Sequence, residues 1–268
     1  MGPLFDLSGR VATVSGAASG LGRAMSLALA AHGADLLLVD INEEGVRKTA
    51  AEIAALGRRA VPAVCDVSDP EKIAGLFGVL DREFGRIDFL GNVAGEGLLG
   101  KPEEMDPATV RTVFQNLVFG RFAMCQQAGR RMLSVGRGSI VNIGSLASIS
   151  ALGRGHIAYS MAMGAVAQMT RELSTEWAGR GVRVNAILPA QVLNPGLAKR
   201  MEEAPALGEK FLSGIPAGRL GDPSDVKGLA VLLASDASRW ITGALIPMDG
   251  GNLAVNAGGS VGPARGRA

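Results

Sequence analysis

The residues whose order first suggests chemistry are Ser15-Gly16-Ala17-Ala18-Ser19-Gly20-Leu21-Gly22, which follow a short apolar run, Val11–Val14, and precede a helical pattern. Glycines let a chain turn tightly and bring its backbone close to a ligand, while a helix N-terminus offers unpaired N–H groups and a partial positive charge. Together they suit the pyrophosphate of a dinucleotide, with Gly16, Ser19, Gly20, Leu21 and Gly22 as candidate contacts. A glycine triplet alone is a weak signal; at the first strand-to-helix junction of an alternating chain it has the context the chemistry requires. The next apolar run, Leu36-Leu37-Leu38-Val39, ends in Asp40, with Ile41 beside it. A carboxylate there can accept hydrogen bonds from the adenosine ribose hydroxyls and would repel a 2′-phosphate. Arg47 and Lys48 fall well inside the following helix and no Lys or Arg adjoins Asp40, so the expected cofactor is NAD rather than NADP. An Asp capping the helix that starts near Glu43 is compatible with the same role.

Such groups must be held by regular elements. Val11–Val14, Leu36–Ile41, Ala60–Cys65, Phe89–Val93, Ser139–Ile143, Arg183–Leu188 and Ala244–Met248 read as strands. Between them, apolar residues recur at three- and four-residue spacing over Arg23–Ala31, Glu44–Leu56, Pro70–Phe84, Pro107–Ser134, Tyr159–Gly179 and Ser224–Ala234, which read as helices. Asp69-Pro70, Asp106-Pro107 and Asp222-Pro223 are cap-plus-first-turn helix starts. Near-continuous apolar strands alternating with helices predict a single α/β domain of the doubly wound Rossmann type, with a parallel sheet of about seven strands covered on both faces. The domain is expected to span residues 1–253, and the Gly- and Ala-rich segment 254–268 to be a flexible tail.

Composition narrows the partners. The 268 residues are 47% apolar but only 4% aromatic, so Ala, Val, Leu and Ile must fill the core. Net charge is +2 and the charges are interspersed, which argues against nucleic acid or an anionic membrane as a main partner. Cys65 and Cys125 form no CxxC and read as buried small hydrophobes, and His32 and His156 have no neighbours at metal-ligand spacing, so no metal is expected. No apolar run approaches the ~20 residues that span a bilayer and no signal pattern opens the chain, so a cytoplasmic setting is expected.

With these residues in place, the chain resembles the short-chain dehydrogenase/reductase family over about Leu4 to Asn252. Gly16, Gly20 and Gly22 fit the family's TGxxxGxG turn, with Ser15 for Thr. Asp66-Val67 fits a pair that in the family contacts the adenine, and Asn92-Val93-Ala94-Gly95 fits the NNAG stretch, implying cofactor contacts at Asn92, Ala94 and Gly95. Asn116, Ser145 and Tyr159, the only tyrosine, fit the catalytic Asn, Ser and Tyr. Asn185-Ala186-Ile187-Leu188-Pro189, Ile241-Thr242-Gly243 and Asp249-Gly250-Gly251 also fit. The resemblance implies an NAD(H)-dependent oxidoreductase that interconverts a secondary alcohol and a ketone. Tyr159 would be its general acid/base, Ser145 would orient the carbonyl and Asn116 would anchor a water in a proton relay. Tyr159, Pro189, Val192 and Asn194 would meet the nicotinamide end, with Pro189-Ala190 for the family's Pro-Gly and Asn194 for its nearby Thr.

One departure concerns the chemistry directly. The family's Tyr-x-x-x-Lys reads Tyr159-Ser160-Met161-Ala162-Met163. In the family that lysine binds the nicotinamide ribose, makes the phenol more acidic and passes on the proton; a thioether has no charge and is a weak acceptor. A free phenol ionises near pH ~10, so the loss should weigh most on alcohol oxidation near neutrality. Arg154, His156 and Lys199 flank the expected cleft and are candidates to replace the missing cation. Two alternatives stay open: a catalytically impaired dinucleotide-binding protein, or a non-redox enzyme that reuses the Ser–Tyr pair. The segment from Gln191 to Pro216 is expected to be a lid, and Glu96, Leu98, Leu99, Leu152 and Val192 to line a moderately apolar pocket. The helices Pro107–Ser134 and Tyr159–Gly179 resemble those that pair across the interface of family dimers and tetramers, so the resemblance implies a homo-oligomer; the faces at Met161, Ala165 and Met169 suit that interface and equally an internal core.

Overall fold

The computed structural model describes residues 4–255. Seven strands lie in one wholly parallel sheet: β1 (Val11–Ser15), β2 (Asp35–Asp40), β3 (Ala60–Val64), β4 (Phe89–Asn92), β5 (Gly138–Ile143), β6 (Val182–Pro189) and β7 (Leu245–Met248), in the order β3-β2-β1-β4-β5-β6-β7. The order reverses beside β1, which opens a crevice at the C-terminal ends of β1 and β4, where α/β sheets of this kind bind ligands. The helices are α1 (Gly20–Ala31), α2 (Glu43–Ala55), α3 (Pro70–Glu83), α4 (Pro107–Phe114), α5 (Gly120–Ser134), α6 (Ile157–Trp177), α7 (Pro195–Glu203), α8 (Pro205–Leu212), α9 (Lys227–Ala234) and α10 (Asn252–Val255).

Each sheet face has its own core. On one, α1, α2 and α9 cover Ala12, Val14, Leu36 and Leu38. On the other, α3, α5 and α6 cover Val11, Leu37, Val39 and Leu90. Strand residues therefore point alternately to two apolar layers, which is why these strands read as unbroken apolar runs. Fully burying such a side chain stabilises by about 1.5–3 kcal/mol. Polar pins fix the strands at each end. At the N-terminal end, buried Asp88 accepts the N–H of Val11 at 2.9 Å and pairs with Arg86 and Arg137 at 2.6 and 3.0 Å.

The three Asp-Pro starts are caps: the carboxylates of Asp69, Asp106 and Asp222 accept the N–H groups of Glu71, Ala108 and Ser224. The last of these opens a 3₁₀ turn, Pro223–Val226, that leads into α9. The expected continuous helix Pro107–Ser134 is instead α4, a π-helical segment Gln115–Phe119, and α5. Val113, Leu117, Arg121 and Cys125 are all buried at steps of four, so one widened turn leaves the apolar spacing unbroken and invisible in the sequence. The segment expected to be a lid folds as α7 and α8. The expected flexible tail lies outside the described residues from 256 onward; Ala254 and Val255 belong to α10.

Candidate active site

The glycine turn is shaped by close approach. Gly16 and Gly20 take positive φ, 71° and 52°, which glycine adopts without strain. A Cβ on Gly22 would fall 2.1 Å from the carbonyl oxygen of Gly16, so only glycine lets α1 begin on top of its own turn. Ser15 Oγ accepts the N–H groups of Val93 and Ala94 at 2.9 and 3.1 Å, tying the turn to the end of β4. Thr49 Oγ1 donates to the Ala17 carbonyl at 2.9 Å from the other side. Ser19 precedes α1 without a side-chain cap bond, which leaves its hydroxyl and the N–H groups of Gly20, Leu21 and Gly22 to meet an anion. This narrow cradle, which a Cβ would fill, fits a pyrophosphate.

Asp40 ends β2 with both carboxylate oxygens aimed. Oδ2 accepts the N–H of Ala18 at 3.0 Å and Oδ1 that of Asn42 at 2.9 Å. Each oxygen retains a lone pair for a ribose hydroxyl. Arg47 pairs with Glu43 at 2.7 Å, and Ile41 is 71% exposed beside Asp40. Asp66 is exposed after β3; the Ser68 N–H and then its hydroxyl hold the carboxyl below the usual range. Val67 next to it is buried, and a Cβ on Gly120 would stand 1.9 Å from its carbonyl oxygen.

Two of the expected cofactor contacts have side chains already engaged within the protein. Asn92 is wholly buried, and its amide donates to the Arg121 carbonyl at 3.0 Å and to Asn142 Oδ1 at 3.2 Å. Its side chain thus joins β4 to α5 and β5, because β4 alternation turns it into the core. Asn194 caps α7: its Oδ1 accepts the Leu197 N–H at 2.8 Å and its Nδ2 donates to Val192 at 3.3 Å.

Ser145, Tyr159 and Gly95 border one cleft of about 700 Å³, which Pro189, Val192 and residues of α7 and α8 also line. Ser145 is buried and its Oγ accepts the Ala147 N–H at 3.2 Å, leaving the hydroxyl proton to point at a ligand. Tyr159 lies in the first turn of α6 with its ring against the Gly97 backbone; a Cβ there would stand 2.4 Å from Cδ2. Asn116 sits in the π-helical segment, its Oδ1 3.1 Å from where a Gly95 Cβ would be. Gln191 Oε1, also at the cleft, is buried with no hydrogen-bond partner.

Met163, one turn beyond Tyr159, is 1% exposed among Val113, Leu117, Ala162 and Val166. Of the three cations named as candidates to replace it, Arg154 and His156 line the cleft. Arg154 stacks over Phe211 at 4.9 Å, Lys199 is 77% exposed beside Glu203, and the ring of His156 is 6.2 Å from that of Tyr159, edge-on. The cation that sequence reasoning missed is Arg121 of α5, 3% exposed, whose guanidinium donates to the carbonyls of Val93, Ala94 and Ile143. Its signal was available: a lone arginine at a core position, in step with Val113 and Leu117. Burial pulls it down to about 10, partly opposed by Tyr159, so it stays charged at neutral pH.

A parallel sheet with this glycine turn at its switch point defines a Rossmann-type dinucleotide fold. The chain belongs to the short-chain dehydrogenase/reductase family, oxidoreductases that use nicotinamide cofactors. Residues 16–252 match the family model described as enoyl-(acyl carrier protein) reductase. The chain is 40% identical to a D-threitol dehydrogenase of Mycolicibacterium smegmatis over 247 residues, 92% of this chain and 94% of that protein. It is 38% identical to an NAD-dependent glycerol dehydrogenase of Listeria innocua, over 92% of this chain and 95% of that one. A solved structure provisionally described as an NAD(P)-dependent gluconate 5-dehydrogenase of Beutenbergia cavernae, with NADP bound at low occupancy, superposes with a TM-score of 0.88. The two are 38% identical, over 94% of this chain and all of that one (100%).

Proposed function

We propose that the protein is an NAD(H)-dependent dehydrogenase that interconverts a secondary alcohol and a ketone on a polyol or related small hydroxylated substrate. The observation that carries this reading is the cleft shared by Ser145, Tyr159 and Gly95, the last of which follows Ala94, the residue that packs on Gly16 of the glycine turn. A bound nicotinamide supplies the hydride acceptor or donor. Ser145 donates its hydroxyl proton to the substrate oxygen and fixes it. Tyr159 takes the alcohol proton in oxidation and returns it to the carbonyl oxygen in reduction. Asn116 orients a water that carries the proton onward. Asp40, anchored beside the turn, gives the preference for NAD.

The test is turnover on a panel of polyols and their ketones with each nucleotide. The wild type reduces at least one ketone with NADH, and Tyr159→Phe lowers that rate by about 10²-fold or more. Equal turnover by the Phe variant would remove the tyrosine from the mechanism. A binding protein with impaired catalysis is the second reading, favoured by the apolar burial of Met163; it predicts NADH binding with no turnover across the panel. For assembly, Phe119, Phe122 and Met161 are 54%, 44% and 49% exposed on the π segment, α5 and α6, apolar surface that supports a homo-oligomer.

A further inference from the structure

Among the described residues, Asp88 and Arg121 are the charged side chains that are buried. Asp88 is neutralised by two arginines at the far end of the sheet. Arg121 has no carboxylate in ion-pair reach among the described residues, and its guanidinium meets only carbonyl oxygens: Ala94 at 3.1 Å, Val93 at 3.4 Å and Ile143. A buried cation without a counter-ion is costly to keep, and the helix spacing would accept a leucine here. The charge is therefore retained against the local interest of the core.

Its place shows what it faces. Nη2 lies 3.4 Å from where a Gly95 Cβ would be, and Ile143 is two residues before Ser145. Gly95, Ser145 and Tyr159 line the same cleft, so the guanidinium lies one backbone layer behind its wall. The other charged or titratable groups about Tyr159 come from every neighbouring element. They are Glu96 after β4, Arg154 and His156 before α6, and Arg200 on α7. These border the open cleft, where water screens them. On Arg121's own helix, Cys125 is a fully buried thiol pushed up to about 12 by burial, and so is uncharged. Met163 supplies no charge from α6.

We propose that Arg121 is the positioning charge for Tyr159, stabilising the phenolate of the proton-transferring tyrosine from behind the cleft wall. The proposal rests on the reading of Tyr159 as the acid/base. It acts through electrostatics alone; Arg121 touches neither substrate nor cofactor.

Because Tyr159 is the sole tyrosine, its ionisation can be read directly in the full-length protein by the phenolate absorbance, with Tyr159→Phe as the blank. The expected result is that Arg121→Met moves the phenolate transition upward by about one pH unit or more, that Arg121→Lys retains most of the wild-type position, and that Met163→Lys added to Arg121→Met moves it back. The ascending limb of the pH profile of alcohol oxidation should follow the same shifts. An Arg121→Met protein that melts cooperatively yet titrates like the wild type overturns the proposal. If Arg121→Met does not fold, Met163→Lys in the wild type decides. A shift below about one unit supports a cation already in place, and a larger downward shift shows a tyrosine that had none. Loss of turnover in Tyr159→Phe with an unmoved titration would sink only Arg121; a moved titration with turnover intact in Tyr159→Phe would sink only the acid/base reading.

Discussion

Asp40 and Tyr159 are held in different ways, and the difference decides what each can do. Asp40 accepts two backbone N–H groups that fix the carboxylate beside the glycine turn. A 2′-phosphate arriving there meets a charge that cannot swing aside, whereas ribose hydroxyls find its free lone pairs. Under the proposed preference for NAD over NADP, Asp40→Ala should relax it by about ten- to a hundredfold, equivalent to about 1.5–3 kcal/mol for a charged hydrogen bond. The ratio of kcat/KM for the two nucleotides measures it, and an unchanged ratio moves the selectivity to another residue. Tyr159, by contrast, is packed against the Gly97 backbone and an apolar cluster, and under the proposal above it answers to Arg121 from behind the cleft wall. Asp40 was legible in the sequence because strand ends have fixed register. Arg121 stands out in the sequence as a lone arginine in step with Val113 and Leu117, but its proposed bearing on Tyr159 does not, because the two lie on different helices.

At the scale of elements, glycines mark where two segments nearly touch. Gly22 is forced by the Gly16 carbonyl, Gly120 by the Val67 carbonyl and Gly97 by the ring of Tyr159. Gly22→Ala must open the turn, and NADH affinity should fall by at least about tenfold, or 1.4 kcal/mol. Gly97→Ala displaces only the tyrosine ring, so kcat should fall while NADH affinity holds. Titrating both variants with NADH and measuring turnover separates the two halves of the site; a Gly97→Ala protein with wild-type kcat would show that the ring contact is idle. Strands, caps and the turn could be read from spacing because each is a local pattern. The π-helical segment could not, since a widened turn keeps the four-residue steps of the buried Val113, Leu117, Arg121 and Cys125. Nor could the inward aim of Asn92, which follows from the register of β4 against β5.

For the whole molecule, the reversal of strand order beside β1 collects residues from distant segments at one edge: the turn after β1, Asp40 after β2, Gly95 after β4, Ser145 after β5 and the α7–α8 cover after β6. Alternating apolar runs and motif order made this architecture legible. The fit of α7 and α8 over the cleft depends on contacts such as Arg154 on Phe211, which no spacing encodes. The assembled site makes binding and catalysis separable, since the nucleotide cradle and the Ser145–Tyr159 pair come from different segments. Tyr159→Phe keeps the ring that packs on Gly97 and removes only the hydroxyl. The most direct measurement is therefore NADH affinity and polyol–ketone turnover in the same samples of wild type and Tyr159→Phe. The predicted result is an NADH Kd unchanged within about twofold with kcat lower by about 10²-fold or more. Turnover by the variant at the wild-type rate, or a wild type that binds NADH and turns over nothing, would contradict it.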